Sequence, residues 1–178
     1  VLLDQRLDDR LSSDLSAPGA AIPPAKLPFV TAAALTTCDG DDGLVDGVIA
    51  DPPSCAFDPT TLLCAGEETN ACLTAPQLAA LRAIYEGPAN PRTGERIFPG
   101  FAVGAEAGWA GLVTNLSASG LGNGYFANLV YEDPLWDYRT FDFDVGMAYA
   151  DWKVGALGNA IDPDLSEARK RGVKIIQY

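Results

Sequence analysis

Over the first sixteen residues the apolar positions Leu3, Leu7, Leu11 and Leu15 recur with charged residues between them. That is helical spacing, and it predicts a short amphipathic helix. Residues 17–25 are rich in Pro, Ala and Gly and read as a linker. From about residue 25 to 37 the chain is apolar enough for a second helix. Pro28 falls in its first turn, where proline is tolerated. Residues 38–72 then lose all periodicity. A stretch of that length needs covalent or metal staples to be ordered.

Periodicity returns at Thr74. Thr74 and Gln77 have the spacing of a capping box, and Leu73 and Leu78 that of a hydrophobic staple. Leu78, Leu81, Ile84 and Tyr85 form the buried stripe of the helix, and Gly87-Pro88 ends it. Residues 88–104 are turn-rich. A further helix is predicted over about 104–118, with Trp109 and Leu112 facing inward. Gly120 to Gly124 reads as a flexible loop. Residues 125–152 are crowded with aromatics. Asp162-Pro163 predicts the start of a last helix that stops at Gly172. Val173 to Tyr178 then reads as a β-strand, and helix followed by apolar strand is half of a βαβ unit.

The ends read as cut. Val1 is not an initiator Met, no signal-peptide pattern precedes it, and a lone terminal strand needs a partner. More chain is expected after Tyr178 and before Val1.

With 178 residues, 48% of them of hydrophobic type, the chain can bury a single core. No apolar run reaches the roughly 20 residues of a membrane-spanning helix, so no membrane partner is expected. The formal charge is −12, from 24 acids against 12 bases. That argues against nucleic acid, which requires a basic face. The imbalance is also local. No Lys or Arg occurs between Lys26 and Arg82, where Asp39, Asp41, Asp42, Asp46, Asp51, Asp58, Glu67 and Glu68 all fall. Such a stretch is either a solvated acidic face or one whose missing positive charge is a metal ion. The chain has no histidine, so it cannot by itself form a Ser-His-Asp or Cys-His site.

The 4 cysteines are Cys38, Cys55, Cys64 and Cys72. No C-x-x-C pair occurs, which speaks against a zinc ribbon or a thioredoxin-like site. Two disulfides in an oxidising compartment fit better. Of the possible pairings, Cys38–Cys55 and Cys64–Cys72 close the smallest loops.

The most informative stretch is Cys38-Asp39-Gly40-Asp41-Asp42-Gly43-Leu44-Val45-Asp46-Gly47-Val48-Ile49. Calcium takes six to eight hard oxygen ligands from a loop that can fold round it. Asp39, Asp42 and Asp46 supply carboxylates, and the glycines let carbonyls such as those of Leu44 and Val48 turn inward. The EF-hand pattern does not fit, because Gly43 and Ala50 stand at its fifth and twelfth positions. The competing reading is an Asp/Gly-rich turn without metal. A Cys38–Cys55 bridge would pin both ends of the loop and lower the cost of ordering it.

Other signals are weaker. Gly120 to Gly124 has no preceding strand and reads as a surface loop rather than a phosphate-binding one. Asp142-Phe143-Asp144 reads as a strand or loop with half-buried rings rather than a metal-binding D-x-D. Asn115-Leu116-Ser117 is a glycosylation sequon, usable only in a eukaryotic source. The aromatic stretch either lines a pocket for a planar substrate or is simply core. Tyr125, Phe126 and Trp136 are its candidate substrate contacts.

Between Cys38 and Trp109 the residues resemble one family. Cys38-Asp39, Asp42-Gly43, Asp46-Gly47-Val48-Ile49 and Asp51-Pro52 are similar to the calcium loop of the tannase and feruloyl esterase family. That family also includes the mono(hydroxyethyl) terephthalate hydrolases. The resemblance continues through Cys55-Ala56-Phe57-Asp58-Pro59, Leu63-Cys64, Cys72-Leu73-Thr74, Gln77, Ile84-Tyr85, Gly87-Pro88, Gly94, Pro99-Gly100, Gly104 and Trp109. Near the end, Asp162 to Ser166 and Arg171 to Tyr178 resemble the segment leading back to the catalytic domain.

The resemblance implies an α/β fold class: a secreted α/β-hydrolase whose inserted lid domain, helices plus long stapled loops, makes up most of this chain. Residues 1–22 would connect, 23–161 form the lid with its calcium loop at 38–51, and 162–178 return as a helix and strand to the catalytic core. Such enzymes cleave carboxylic esters of feruloyl, galloyl or terephthaloyl type through a Ser-His-Asp triad. The lid closes over the aromatic part of the substrate. Structural calcium would bind Asp39, Asp42 and Asp46 side chains and the Leu44 and Val48 carbonyls. The disulfides would again be Cys38–Cys55 and Cys64–Cys72. The family's Gly-x-Ser-x-Gly elbow is missing here, so no catalytic residue is assigned to this chain. Its expected partners are the catalytic core of the same protein and an aromatic ester. The location implied is extracellular or periplasmic. The competing function is a non-catalytic, calcium-stabilised extracellular module, against which the lack of any repeat of the acidic loop counts.

Overall fold

The computed structural model describes residues 17–90, 92–111, 121–159 and 163–176. The amphipathic helix expected over the first sixteen residues, Leu112, Asn115 and the Asp162 cap all lie outside the described residues.

Helix α1 (Leu27–Cys38) follows a short 3-10 turn at Pro24–Lys26 and carries Pro28 in its first turn. Leu27, Val30, Ala34 and Cys38 are buried, steps of three and four residues that put them on one face. Helix α2 (Ala75–Glu86) has the capping box foreseen. The Gln77 N–H donates to Thr74 Oγ1 at 3.4 Å, and Gln77 Oε1 accepts from the Thr74 N–H at 3.1 Å. Leu78, Leu81 and Ile84 are buried in its stripe. Gly87 ends it with φ +76°, a left-handed value that favours glycine. A Cβ there would lie 2.5 Å from the Phe98 carbonyl oxygen and the Gly100 nitrogen.

The residues expected to be a linker are not one. Ala20 and Ile22 are 3% and 2% exposed, and belong to the main core with Leu27, Val30, Leu73, Leu81 and Trp109. Ala20 and Ile22 serve packing while the prolines stay exposed, because an extended segment can remove apolar area from water without needing regular structure.

Residues 38–72 are irregular apart from 3-10 turns at Pro52–Ser54 and Pro59–Leu62. Both disulfides form as expected, Cys38–Cys55 and Cys64–Cys72. In the described part of the helix expected over about 104–118, a 3-10 turn spans Glu106–Gly111 and buries Trp109, while residues 112–118 lie outside the described residues.

The aromatic stretch forms a second core. Helix α3 (Leu121–Tyr125) continues as a π-helical turn at Phe126–Val130. Helix α4 (Val145–Ala150) continues as a second π-helical turn at Asp151–Gly155, and then as the short α5 (Ala156–Gly158). The reading of Gly120 to Gly124 as a loop is therefore corrected for Leu121 to Gly124. The buried rings of Tyr125 and Phe126 anchor the turn, and their packing outweighs the poor helix propensity of glycine.

Helix α6 (Ser166–Lys170) starts later than Asp162-Pro163 suggested, and Gly172 follows it at φ +69°. The strand expected from Val173 is absent over residues 173–176. Val173, Ile175 and Ile176 are exposed. A strand exists only through pairing, and among the described residues the only bridges are the isolated pairs Leu63–Leu73 and Ala89–Arg96. The described residues are thus helical and irregular, as expected for most of the chain, and the one strand expected at the end is not formed over residues 173–176.

Candidate functional site

Helix α1 runs directly into the acidic loop, since the Asp39 N–H still donates to the Leu35 carbonyl at 2.9 Å. Turns at Asp41 and Gly43 follow, each N–H returning to a carbonyl three residues back. Gly43 and Gly47 take φ of +90° and +83°, and let the chain wind round Asp39. Asp39 is 8% exposed. Its Oδ1 accepts the N–H groups of Asp46, Gly47 and Val48 at 3.3, 3.0 and 3.1 Å, and its Oδ2 accepts Gly47 N–H at 3.2 Å. Asp42 Oδ1 accepts the Leu44 N–H at 2.9 Å, and Asp46 Oδ1 accepts the Val48 N–H at 3.1 Å. The Cys38–Cys55 bridge clamps the loop, and Ile49 closes it against Ala34 and Cys38. Gly104 at φ +93° lies against Ile49.

Among the described residues no Lys or Arg forms an ion pair with Asp39, Asp41, Asp42 or Asp46. The donor set therefore has the composition a hard cation takes: carboxylates without counter-charge beside carbonyls in a clamped loop. Its arrangement is different. Among the described residues no three His, Cys, Asp or Glu side chains converge on a common point. Asp39 is turned onto the loop's own N–H groups, and Asp42 and Asp46 each cap the residue two places on. A cavity of about 190 Å³ adjoins the loop, lined by Asp41, Asp42, Ile49, Ala50, Asp51 and Ser54. The sequence places Asp41 and Asp51 in the acidic stretch without a ligand role and gives no sign of Ser54, because only the folded loop brings residues 41, 51 and 54 to one cavity.

The three aromatic candidates come together. Phe126 contacts Tyr125 edge-on at 5.2 Å between centroids and Trp136 at 5.6 Å. Tyr125 and Phe126 are buried and Trp136 is half-buried, in a cluster with Tyr131, Phe141 and Tyr149. Trp136, Tyr131, Tyr149 and Trp152 form a column of rings at successive spacings of 5.0, 5.9 and 5.7 Å. The outermost ring, Trp152, is 78% exposed. Its exposure has no signature in a sequence crowded with rings.

Asp142-Phe143-Asp144 is a turn. Asp142 Oδ1 accepts the N–H groups of Asp144 and Val145, while Asp144 takes the Arg92 guanidinium and the Asn90 amide. Those side-chain hydrogen bonds hold the Asp144 carboxyl down at about 2. The pair ties the turn-rich segment of the first core to the aromatic one.

Comparison with known proteins gives one answer. Residues 6–178 match the family described as Tannase and feruloyl esterase. An uncharacterized esterase of Xanthomonas campestris pv. campestris is 44% identical over 183 residues, covering 93% of this chain and 32% of that protein. An Aspergillus flavus protein named "Probable feruloyl esterase B-2" is 32% identical over 150 residues, covering 84% of this chain and 28% of that one. The crystal structure of an esterase from Aspergillus oryzae superposes with a TM-score of 0.82 at 25% identity, covering 97% of this chain and 34% of the other. Feruloyl esterase B from the same organism has the same fold, with a TM-score of 0.82 at 20% identity. The chain thus spans about a third of the length of these relatives. By the match of nearly its whole length, this chain belongs to the tannase and feruloyl esterase family.

Proposed function

We propose that this chain is the lid segment of a secreted serine carboxylic-ester hydrolase that acts on aromatic-acid esters of feruloyl, galloyl or terephthaloyl type. The observation that carries the reading is the acidic loop clamped by Cys38–Cys55, within a fold that an A. oryzae esterase shares over 97% of this chain. Residues 23–161 make the lid, whose core also takes in Ala20 and Ile22 of the segment expected to connect, and 162–178 return to the catalytic core. Core and ester substrate are the partners. The absence of histidine from the chain supports a triad supplied from outside these residues.

Structural calcium is part of the proposal. Asp39, Asp42 and Asp46 side chains and the Leu44 and Val48 carbonyls would hold it. When bound, it supplies the positive charge that the loop's own composition lacks. Asp42 and Asp46 are exposed and can swing toward the ion, whereas Asp39 is already at the centre of the turn. The role of the lid is to shape the acyl pocket and exclude water while the triad and oxyanion hole act elsewhere. Tyr125 and Phe126 would act through the shape of the aromatic body. Half-buried Trp136 has ring surface left to offer a substrate.

The test is hydrolysis by the whole protein. kcat/KM for methyl ferulate and methyl gallate should exceed that for methyl acetate, and Trp136→Ala should narrow the difference. Failure to cleave any aromatic ester would overturn the activity. A folded Trp136→Ala protein with unchanged preference would remove the substrate contact alone.

A further inference from the structure

Lys26, immediately before α1, is only 1% exposed. Its ammonium donates to Glu68 Oε1 at 2.7 Å and to Gln77 Oε1 at 2.8 Å. Gln77 Nε2 donates to the same Glu68 oxygen at 2.9 Å, while Gln77 Oε1 also closes the capping box of α2. The starts of both long helices thus meet at one buried ammonium. A buried ammonium needs a counter-charge. Among the described residues Glu68 is the carboxylate that supplies it.

Glu68 is itself poorly anchored. It lies in residues 65–71, all exposed, and Ala65-Gly66-Glu67-Glu68-Thr69-Asn70-Ala71 has no large apolar side chain to dock. What closes this loop is the Cys64–Cys72 disulfide, beside hydrogen bonds from the Cys64 N–H to the Leu73 carbonyl and from the Leu73 N–H to the Leu62 carbonyl. Both cysteines are half-buried rather than enclosed.

We propose that the Cys64–Cys72 disulfide is a redox-sensitive latch: it holds Glu68 on the buried ammonium of Lys26, and its reduction loosens the starts of α1 and α2 together. A dithiol drives the opening. Its thiolate attacks one sulfur and the S–S bond breaks. Cys64 and Cys72 become thiols by taking up two electrons and two protons, and the reductant leaves as its own disulfide. The opened loop then bears a larger entropic cost to return Glu68 to Lys26. The latch acts on the fold and is independent of the esterase reading. Helix α1 carries Cys38 and Asp39 at its far end, so opening also weakens the support of the acidic loop.

The experiment is a double-mutant cycle on the whole protein, read by melting temperature. Glu68→Gln should lower Tm by several degrees when the disulfide is intact, and by less than half as much in the Cys64→Ser/Cys72→Ser background. Equal losses in both backgrounds overturn the latch. Where the serine pair does not fold, Lys26→Met in the same background decides. Removing the ammonium should restore folding, since the disulfide serves Lys26; no restoration overturns the proposal.

Discussion

The Tyr85 hydroxyl donates to Glu106 Oε1 at 2.6 Å, joining α2 to the 3-10 turn that buries Trp109. Glu106 is completely buried, and its Oε1 also accepts the Gly104 N–H at 2.8 Å. Burial and the neighbouring carboxylate push the tyrosine hydroxyl well above its ordinary range, so it remains a donor. Tyr85→Phe takes this donor from a buried carboxyl. It should destabilise the protein by about 1–3 kcal/mol, measured by denaturant unfolding. A change within error would show that Glu106 finds another donor.

Gly87 is the second test of how closely these segments approach. Gly87→Ala places a Cβ 2.5 Å from backbone atoms of Phe98 and Gly100, at a φ of +76°. The expected loss exceeds the roughly 1 kcal/mol of a simple Gly-to-Ala effect at a strained position. Alanine at Gly94, where φ is +72° but nothing lies within 4 Å, should cost less. Equal Tm losses for the two variants would contradict the steric part of the argument.

Calcium removal gives a third test. Chelation should lower Tm of the wild-type protein and leave that of Asp42→Ala/Asp46→Ala unchanged, with calorimetric titration showing one site lost in the double variant. Asp39→Ala should be worse than either, even in chelator, because it also strips the N–H groups of Asp46, Gly47 and Val48 of their acceptor. Chelator-insensitive wild-type stability would count against the metal and leave the hydrogen-bonded turn intact.

Asp144 sets a pH dependence of known sign. Its carboxyl is lowered from 3.8 to about 2, first by the hydrogen bond from Arg92 and then by that from Asn90. A folded-state value below the unfolded one means that the ionised form stabilises the fold. The contribution is present above about 4, and is lost as the pH falls through 2. Arg92→Ala should flatten Tm against pH in that window and leave the difference constant near neutrality. The side chains are largely exposed, so the effect is small and shrinks in high salt.

How much of this was legible beforehand differs between elements. The α2 capping box could be read from Thr74 and Gln77 because capping is local: both hydrogen bonds span three residues. The disulfide pairing could be read because short loops close most easily. The acidity of the loop was equally open, since a run of Asp and Gly without nearby bases is a property of composition, but the turn of Asp39 onto the N–H groups of Asp46, Gly47 and Val48 was not. The linker over residues 17–25 was misread because local propensity says nothing about what covers a segment. Ala20 and Ile22 are buried by α1 and α2, which lie further along the chain. The helix at Leu121–Tyr125 was missed for the same reason: Tyr125 and Phe126 hold it through rings as distant as Phe141.

The amino-acid sequence alone determined what depends on neighbours: helix starts and stops, staples, charge, and the family the chain belongs to. Tertiary structure decided what depends on distant partners. It wound the acidic loop round Asp39, set Glu68 on Lys26 and joined Asp144 to Arg92. The last two are contacts between groups far apart in the chain, and their separation in space is set by the packing of whole elements.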